Sequence, residues 1–213
     1  MFKDRQEAGE KLALKLKKII NDKDFVVVTL LRGGIVLGKN VSEYFKIPLF
    51  PLSVKKIGAP LNPELAIGAV TFDKTHYFDN DLIRHLMVDE DYIKSSLENK
   101  SKEAQTLQNK FPTSLKLRGA SKISLKDKKV IIVDDGIATG ATAICAAIYA
   151  KKEKTKEIIL AAPVISKDTL KNIKIYFDKV IPLKIVNNLA SVSQFYESFP
   201  QIEDSEVIKI LSN

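Results

Sequence analysis

One pattern recurs along the chain: an apolar run rich in β-branched residues, a short segment with glycine, and then helical periodicity. Its first copy is the run at 25–31, which is followed by Gly33 and Gly34 and by a helical pattern through Phe45. A continuous apolar run is typical of a strand buried on both faces, and strands that alternate with helices form parallel sheets. Further strands are predicted at 48–54, 129–133 and 157–164, and helices at 4–20, 140–151 and 167–172. The chain is therefore predicted to adopt an α/β fold around a parallel, Rossmann-like sheet.

The composition describes an ordinary globular chain with a basic balance. Its 213 residues include 34 Lys and Arg against 26 Asp and Glu, a formal net charge of +8, and a single cysteine. These values exclude collagen-like, disulfide-framework and disordered classes, and the positive charge favours anionic partners. Because Cys145 cannot form an intramolecular disulfide and the first residues are charged, we expect a cytoplasmic location. No apolar run approaches the roughly 20 residues of a membrane span, so no membrane partner is expected.

The chain is long enough for one domain over residues 1–213, with two small domains as the alternative, and two of its segments stand apart from the alternating pattern. Residues 69–128 are too long for a plain crossover and predict an insertion with structure of its own. It should contain a hairpin-like excursion near 66–77, a mobile, solvent-facing helix at 89–111 and a flexible, lysine-rich loop at 112–129. Residues 183–213 are expected to form a small C-terminal subregion.

The segment at 130–142 carries the chemistry. A buried strand ends in Asp134 and Asp135, and a loop with Thr139, Gly140 and Thr142 then opens a helix. Ligands of α/β proteins bind at the carboxyl ends of parallel strands, and the free N–H groups of a helix start attract anions. The carboxylates would repel a polyphosphate but accept hydrogen bonds from sugar hydroxyls. The segment therefore predicts binding of a ribose 5-phosphate, with an Asp-capped turn before a helix as the alternative.

This motif resembles the signature of the type I phosphoribosyltransferases, which bind phosphoribosyl pyrophosphate. The resemblance extends over nearly the whole chain, through the segments 2–9, 56–64, 68–70 and 195–201, and points to a bacterial-type subgroup. It implies that Asp134 and Asp135 contact the ribose hydroxyls. It also implies that the 5-phosphate lies on the loop formed by Ile137, Ala138, Thr139, Gly140, Ala141 and Thr142.

A second predicted site is the segment 31–34, where the first strand ends. Gly33 and Gly34 permit close approach of the backbone to a ligand, and Arg32 offers bidentate contacts to an oxyanion. The resemblance implies that this loop binds the pyrophosphate group. Lys55 and Lys56 follow the second strand and could neutralise the same group, with plain surface charge an equal alternative. Asn62 and Glu64 receive no role beyond a turn formed with Pro60 and Pro63.

The activity implied by the resemblance is nucleotide salvage: transfer of the phosphoribosyl group to a nitrogenous base with release of pyrophosphate. Mg²⁺ would come bound with phosphoribosyl pyrophosphate, without direct protein ligands. The insertion at 69–128 would act as a lid, with Arg118 as its catalytic candidate, and the segment 183–213 would form a hood over the base.

The hood and the partners leave alternatives open. Phe195 and Tyr196 are candidates for stacking on the base, although their spacing with Phe199 equally fits packing onto the core, and core packing is also expected of Cys145. Expected partners are phosphoribosyl pyrophosphate, a base and a second copy of the chain in a homodimer. The alternative function is a regulator of the same fold that senses phosphoribosyl pyrophosphate and binds nucleic acid, suggested by the charge of +8.

Overall fold

The computed structural model describes residues 1–111 and 123–212, and in this part of the chain a seven-stranded sheet lies between layers of helices. The strands are β1 (Phe25–Leu31), β2 (Leu49–Ala59), β3 (Asn62–Thr71), β4 (His76–Phe78), β5 (Lys129–Val133), β6 (Glu157–Ser166) and β7 (Lys179–Val186). The helices are α1 (Arg5–Leu16), α2 (Gly34–Phe45), α3 (Asn80–His85), α4 (Glu90–Lys110), α5 (Ala141–Lys152), α6 (Lys167–Ile173) and α7 (Asp204–Ser212). The predicted α/β class is confirmed.

The sheet has the strand order β4-β3-β2-β1-β5-β6-β7. The five strands from β2 to β7 in this order are parallel, and β3 and β4 add two antiparallel strands at one edge. Along β1, Phe25 and Val27 contribute to one apolar cluster, whereas Val26 and Val28 contribute to another. Since alternate residues of a strand face opposite sides, both faces of β1 are buried, and its sequence is accordingly continuously apolar.

The two faces of the sheet carry different helices. Helices α1, α2 and α7 share one apolar cluster with the sheet, and α5 belongs to the cluster on the other face. Helix α1 begins at Arg5 after Asp4, whose carboxylate accepts a hydrogen bond of 2.8 Å from Glu7 N, and it buries Leu12 and Leu16. An N-cap followed by apolar residues four apart explains why this segment forms a helix and which side faces the sheet.

Strand β2 is longer than predicted, and strand β3 begins before the hairpin-like excursion predicted at 66–77. The predicted strand at 48–54 continues to Ala59, turns at 60–61 and returns antiparallel as β3. The extension is explained by a separate apolar cluster in which Ile57, Ala59 and Ile67 are buried together with Val70. Further along, β3 pairs with β4, which is the hairpin-like excursion expected near 66–77.

Helix α4 corresponds to the helix predicted at 89–111, but it packs on the sheet as well as facing solvent. Ala104 and Leu107 are buried, and the side-chain amide of Gln108 bonds to the part of β2 that precedes its pairing with β3. Its Oε1 accepts from Ser53 N at 2.8 Å, and its Nε2 donates to Pro51 O at 3.0 Å. The expected flexible loop at 112–129 lies mostly outside the described residues, and so does Arg118.

The C-terminal region differs from its prediction in two places. Strand β7 runs through Val186, so the segment expected to form the hood from 183 begins as part of the sheet. Helix α7 was not predicted, and it is held to the core by Val207 and Leu211. Between them, the backbone at Tyr196 pairs with Phe2, which ties the two ends of the chain together. Within residues 1–111 and 123–212, no helix is both long and apolar enough to span a bilayer.

Candidate functional site

A crevice opens where β1 and β5, which are neighbours in the sheet, reach their carboxyl ends. Helix α2 leaves β1 over one face of the sheet, and α5 leaves β5 over the other, so the two loops diverge. Such a switch point is where open α/β sheets bind ligands. The loops meet closely there: a Cβ added at Gly34 would lie 2.8 Å from Val133 O and 3.2 Å from Asp134 Cα. The structure thus brings Gly33 and Gly34 against Asp134 and Asp135.

The acid pair follows β5 directly and is largely withdrawn from solvent. Asp134 Oδ1 accepts a hydrogen bond of 2.9 Å from Asp135 N, and the carboxylate of Asp135 lies against Gly33, where an added Cβ would collide with it. Burial, reinforced by the negative charge of Asp135, raises the pKa of Asp134 well above its ordinary value. Burial also raises the pKa of Asp135, although Arg5 opposes this shift. Both acids are only partly exposed.

Arg5 is the partner of Asp135, and the sequence did not identify it. Its Nε donates to Asp135 Oδ2 at 2.8 Å and its Nη1 donates to Pro200 O at 2.6 Å. The guanidinium lies 3.6 Å from the ring centroid of Phe199, and the residue is only 7% exposed. A basic residue in the first turn of an amphipathic helix looks like surface charge in the sequence. Only the approach of the C-terminal segment to α1 turns it into a buried ion pair.

The predicted phosphate loop at 137–142 is held by its backbone. Ile137 N donates to Val164 O at 2.9 Å, and Thr169 Oγ1 donates to Ala138 O at 2.6 Å. Gly140 adopts φ +83°, a conformation that favours glycine, and it precedes α5 without a side-chain cap. Ala141 N lies 3.5 Å from Thr139 Oγ1, which is long for a hydrogen bond. The start of α5 is therefore suited to donate N–H groups to an anion.

Arg32 extends from the other loop toward the C-terminal segment; the peptide bond that precedes it is cis. Its Nη1 donates to Ile202 O at 3.1 Å, and its Nε lies 3.4 Å from Asp204 Oδ1. Lys55 borders the same groove as Arg32, whereas Lys56 Nζ points to Glu64 Oε2 at 2.9 Å. The structure therefore groups only the first of the two lysines with Arg32, and it gives Glu64 a partner.

A cleft of about 360 Å³ adjoins the acid pair and is walled by the C-terminal segment. Phe199, Gln201 and Ile202 line it opposite Gly33 and Asp135. Tyr196, a base-stacking candidate, is buried instead: its ring packs on Phe2 and Phe199, and its hydroxyl donates to Asp135 O at 2.6 Å. Phe195 packs against the core and does not line this cleft. The aromatic side chain that faces the cleft is Phe199.

Metal-binding clusters and the single cysteine were considered as further functional groups. In the described ranges, no three His, Cys, Asp or Glu side chains gather into a cluster that could hold a metal ion. Cys145 is buried in α5, where burial raises the pKa of its thiol to about 12 and its Sγ lies 3.4 Å from Thr75 O. Since nucleophilic cysteines act as thiolates, this one belongs to the core, as the sequence suggested.

The chain is similar to proteins of one family over almost its whole length. Residues 2–196 match the model of the phosphoribosyl transferase domain. Two proteins named as candidate phosphoribosyl transferases, from two strains of Mycobacterium tuberculosis, are each 34% identical over 211 residues. These matches cover 99% of this chain and 46% of each relative, so the chain spans about half the length of these curated relatives. The crystal structure of TT1426 from Thermus thermophilus matches with a TM-score of 0.78 at 29% identity, covering 99% of this chain and 97% of that chain.

Proposed function

The chain belongs to the phosphoribosyltransferase family, and we propose that it transfers the phosphoribosyl group of phosphoribosyl pyrophosphate to a nitrogenous base. One observation carries the proposal. At the switch point between β1 and β5, the two glycines that follow Arg32 lie against the acid pair, and the uncapped start of α5 follows these acids along the chain. A ribose with a phosphate at one end and a pyrophosphate at the other presents matching groups in the matching order.

In this proposal each side of the crevice binds one part of the substrate. The 5-phosphate accepts hydrogen bonds from N–H groups of the loop 137–142, and the ribose hydroxyls donate to Asp134 and Asp135. The pyrophosphate lies on Gly33 and Gly34, with Arg32 and Lys55 balancing its charge. The closeness of Gly33 to Asp135 supports this order, because the anomeric carbon lies between the ribose hydroxyls and the pyrophosphate.

The reaction needs positioning rather than a protein nucleophile. The bond between the anomeric carbon and the pyrophosphate oxygen breaks, a nitrogen of the base forms the new bond, and that nitrogen releases its proton. Fixed charges around the sugar stabilise the positive charge that develops there. The cleft beside Asp135, with Phe199 as its aromatic wall, is the proposed place for the base.

Magnesium is proposed to enter with the substrate. Asp134 and Asp135 offer carboxylate oxygens, which Mg²⁺ prefers, but two side chains do not complete an octahedral shell. Phosphate oxygens of the substrate would supply most of the remaining ligands. Bound to the pyrophosphate, the ion would reduce the negative charge of the leaving group.

The decisive experiment measures pyrophosphate released from phosphoribosyl pyrophosphate and Mg²⁺ in the presence of a panel of purine and pyrimidine bases. We expect turnover with at least one base and its loss in Asp135→Asn. Asp91→Asn is the matched control, because Asp91 is an exposed acid on α4. No turnover with any base would contradict the enzymatic proposal. Tight binding of phosphoribosyl pyrophosphate without turnover, with salt-sensitive retention of nucleic acid, would favour the regulator instead.

A further inference from the structure

The first residue of α7 brings a carboxylate into a basic groove beside the predicted pyrophosphate loop. We call this the basic groove: it has a volume of about 620 Å³ and is bordered by Arg32, Lys55, Lys102, Lys110 and Asp204, among others. Asp204 Oδ2 lies 2.6 Å from Lys110 Nζ, and its Oδ1 lies 3.4 Å from Arg32 Nε. One carboxylate therefore bridges a lysine of α4 and the arginine of the glycine loop.

Asp204 is placed as an anionic ligand would be placed, rather than as an ordinary surface charge. Its Oδ1 is shielded from solvent and has no hydrogen-bond partner among the residues that the structure describes. Its position is fixed, because Val207 and Leu211 of the same helix are buried in the core. The cations around it, Lys110 first and then Arg32 and Lys55, lower the pKa of its carboxyl, so it is charged at neutral pH.

We propose that Asp204 is a built-in competitor for the anion that Arg32, Lys55 and Lys110 bind. A phosphate-containing anion that reaches Arg32 must take over the place of this carboxylate, so its affinity is lower than the cations alone would provide. The inference deepens the proposed function, on which it rests for the identity of the anion as the pyrophosphate group of the substrate. It adds a residue of the C-terminal helix to the control of that site.

The test is calorimetric titration of the full chain with pyrophosphate and Mg²⁺. Asp204→Asn preserves the size of the side chain while removing its charge, and we expect binding that is about three- to tenfold tighter than that of the wild type. Asp204→Ser should show a similar gain, which guards against a folding defect specific to one variant. Equal or weaker binding in folded forms of both variants overturns the proposal, and so does a failure of the wild type and both variants to bind pyrophosphate.

Two acidic neighbours serve as controls. Glu206→Gln changes an exposed acid on the same helix and should leave the affinity for pyrophosphate unchanged. Glu203 Oε2 lies 3.6 Å from Arg32 Nη1, but the side chain is 65% exposed, so Glu203→Gln should produce a smaller gain than Asp204→Asn. Equal gains in affinity for pyrophosphate in Asp204→Asn, Glu203→Gln and Glu206→Gln would indicate a general charge effect. They would overturn the specific role of Asp204.

The outcome is separable from that of the proposed function. Tighter binding of pyrophosphate in Asp204→Asn, with no phosphoribosyl transfer to any base, would uphold the competitor and reject the enzyme. Transfer by the wild type, with unchanged binding of pyrophosphate in Asp204→Asn, would support the enzyme and reject Asp204 as a competitor.

Discussion

The two sides of the crevice present different chemical groups to a ligand: one presents backbone groups and the other presents charged side chains. On the side of β5, the loop 137–142 presents backbone: Gly140 at positive φ, neutral side chains and the uncapped start of α5. On the side of β1, and along the acid pair, charged side chains dominate. Two of them already have a partner of opposite charge, because Arg32 lies beside Asp204 and Asp135 is paired with Arg5.

The backbone side could accept an anion without breaking any ion pair. On the charged side, a ligand would have to replace an existing ion-pair partner. Backbone N–H groups at a helix start need no counter-charge, so they remain available to an anion. Charged side chains withdrawn from water need one, and for Asp135 and Arg32 the chain itself supplies it. Changes on the charged side should therefore alter folding and binding together, according to how deeply each partner is buried. Changes on the backbone side should act through local conformation.

The deepest charged pair should give the largest effect on folding. In Arg5→Ala, Asp135 loses a partner within a pair whose side chains are only 8% and 15% exposed. We expect the free energy of unfolding to fall by about 3 kcal/mol, because a charge is left without compensation in a poorly hydrated place. Urea denaturation followed by circular dichroism measures the change.

A double variant separates the stranded charge from the lost packing. If the uncompensated carboxylate causes the loss, Arg5→Ala combined with Asp135→Ala should be more stable than Arg5→Ala alone. The remaining loss then belongs to the contacts of Arg5 with Pro200 and Phe199. Additive losses in the double variant would show that the ion pair is not what holds this corner together.

The shallower pair should behave in the opposite way. Arg32→Gln should weaken binding of pyrophosphate with Mg²⁺ by about 10- to 30-fold, the value of a lost charge-assisted contact. Its free energy of unfolding should change by less than about 1 kcal/mol, because the side chains of Arg32 and Asp204 are each 30% exposed. Arg84→Gln is the matched control, since Arg84 is an exposed arginine paired with Asp81 on α3. A stability loss as large as that of Arg5→Ala would contradict the distinction between the two pairs.

On the backbone side, Gly140→Ala tests the conformation of the loop itself. The residue has φ +83°, and an added Cβ would approach Ile173 Cγ2 to 2.6 Å. We expect a loss of about 1–2 kcal/mol in the free energy of unfolding, together with weaker binding of ribose 5-phosphate. Thr142→Ala, in the same loop, should change the free energy of unfolding by no more than about 0.5 kcal/mol. Equal losses in the two variants would mean that the positive φ does not matter.

The same difference explains which parts of the molecule the sequence predicted. Strands such as β1 and β5 are buried on both faces, so their apolar runs stand out locally, and the loop 137–142 follows its strand directly. The extension of β2 and the first half of β3 were missed because they bury a small separate cluster that includes Ile57 and Ile67. Helix α4 was predicted as solvent-facing since its packing face includes Gln108, a polar residue that bonds to an unpaired strand edge.

The partners of the charged side could not be predicted from local patterns. Arg5 and Asp135 are 130 positions apart in the chain, and Arg32 and Ile202 are 170 apart. Their meeting depends on how the C-terminal segment crosses α1 and the end of β1. The aromatic cluster of that segment shows the same limit, because only the fold decides that Tyr196 points inward and Phe199 faces the cleft.

The expected effect on stability has the opposite sign at Asp134. Burial, with the charge of Asp135, raises the pKa of its carboxyl, so the folded chain binds this proton more tightly than the unfolded chain does. Stability is therefore lost as the pH rises from the ordinary carboxyl value of 3.8 toward the raised one. Asp134→Asn removes this loss and keeps an oxygen for Asp135 N.

We accordingly expect Asp134→Asn to raise the Tm at neutral pH by a few degrees, and this gain should shrink as the pH is lowered toward the ordinary carboxyl pKa. Thermal unfolding over a pH series measures it. The same variant should bind ribose 5-phosphate less tightly, because a carboxylate that accepts from the hydroxyls becomes an amide. Stability and affinity would then move in opposite directions at one residue, as expected of a charge that serves the ligand at the expense of the fold. A lower Tm at neutral pH would instead show that the fold itself requires the charge of Asp134.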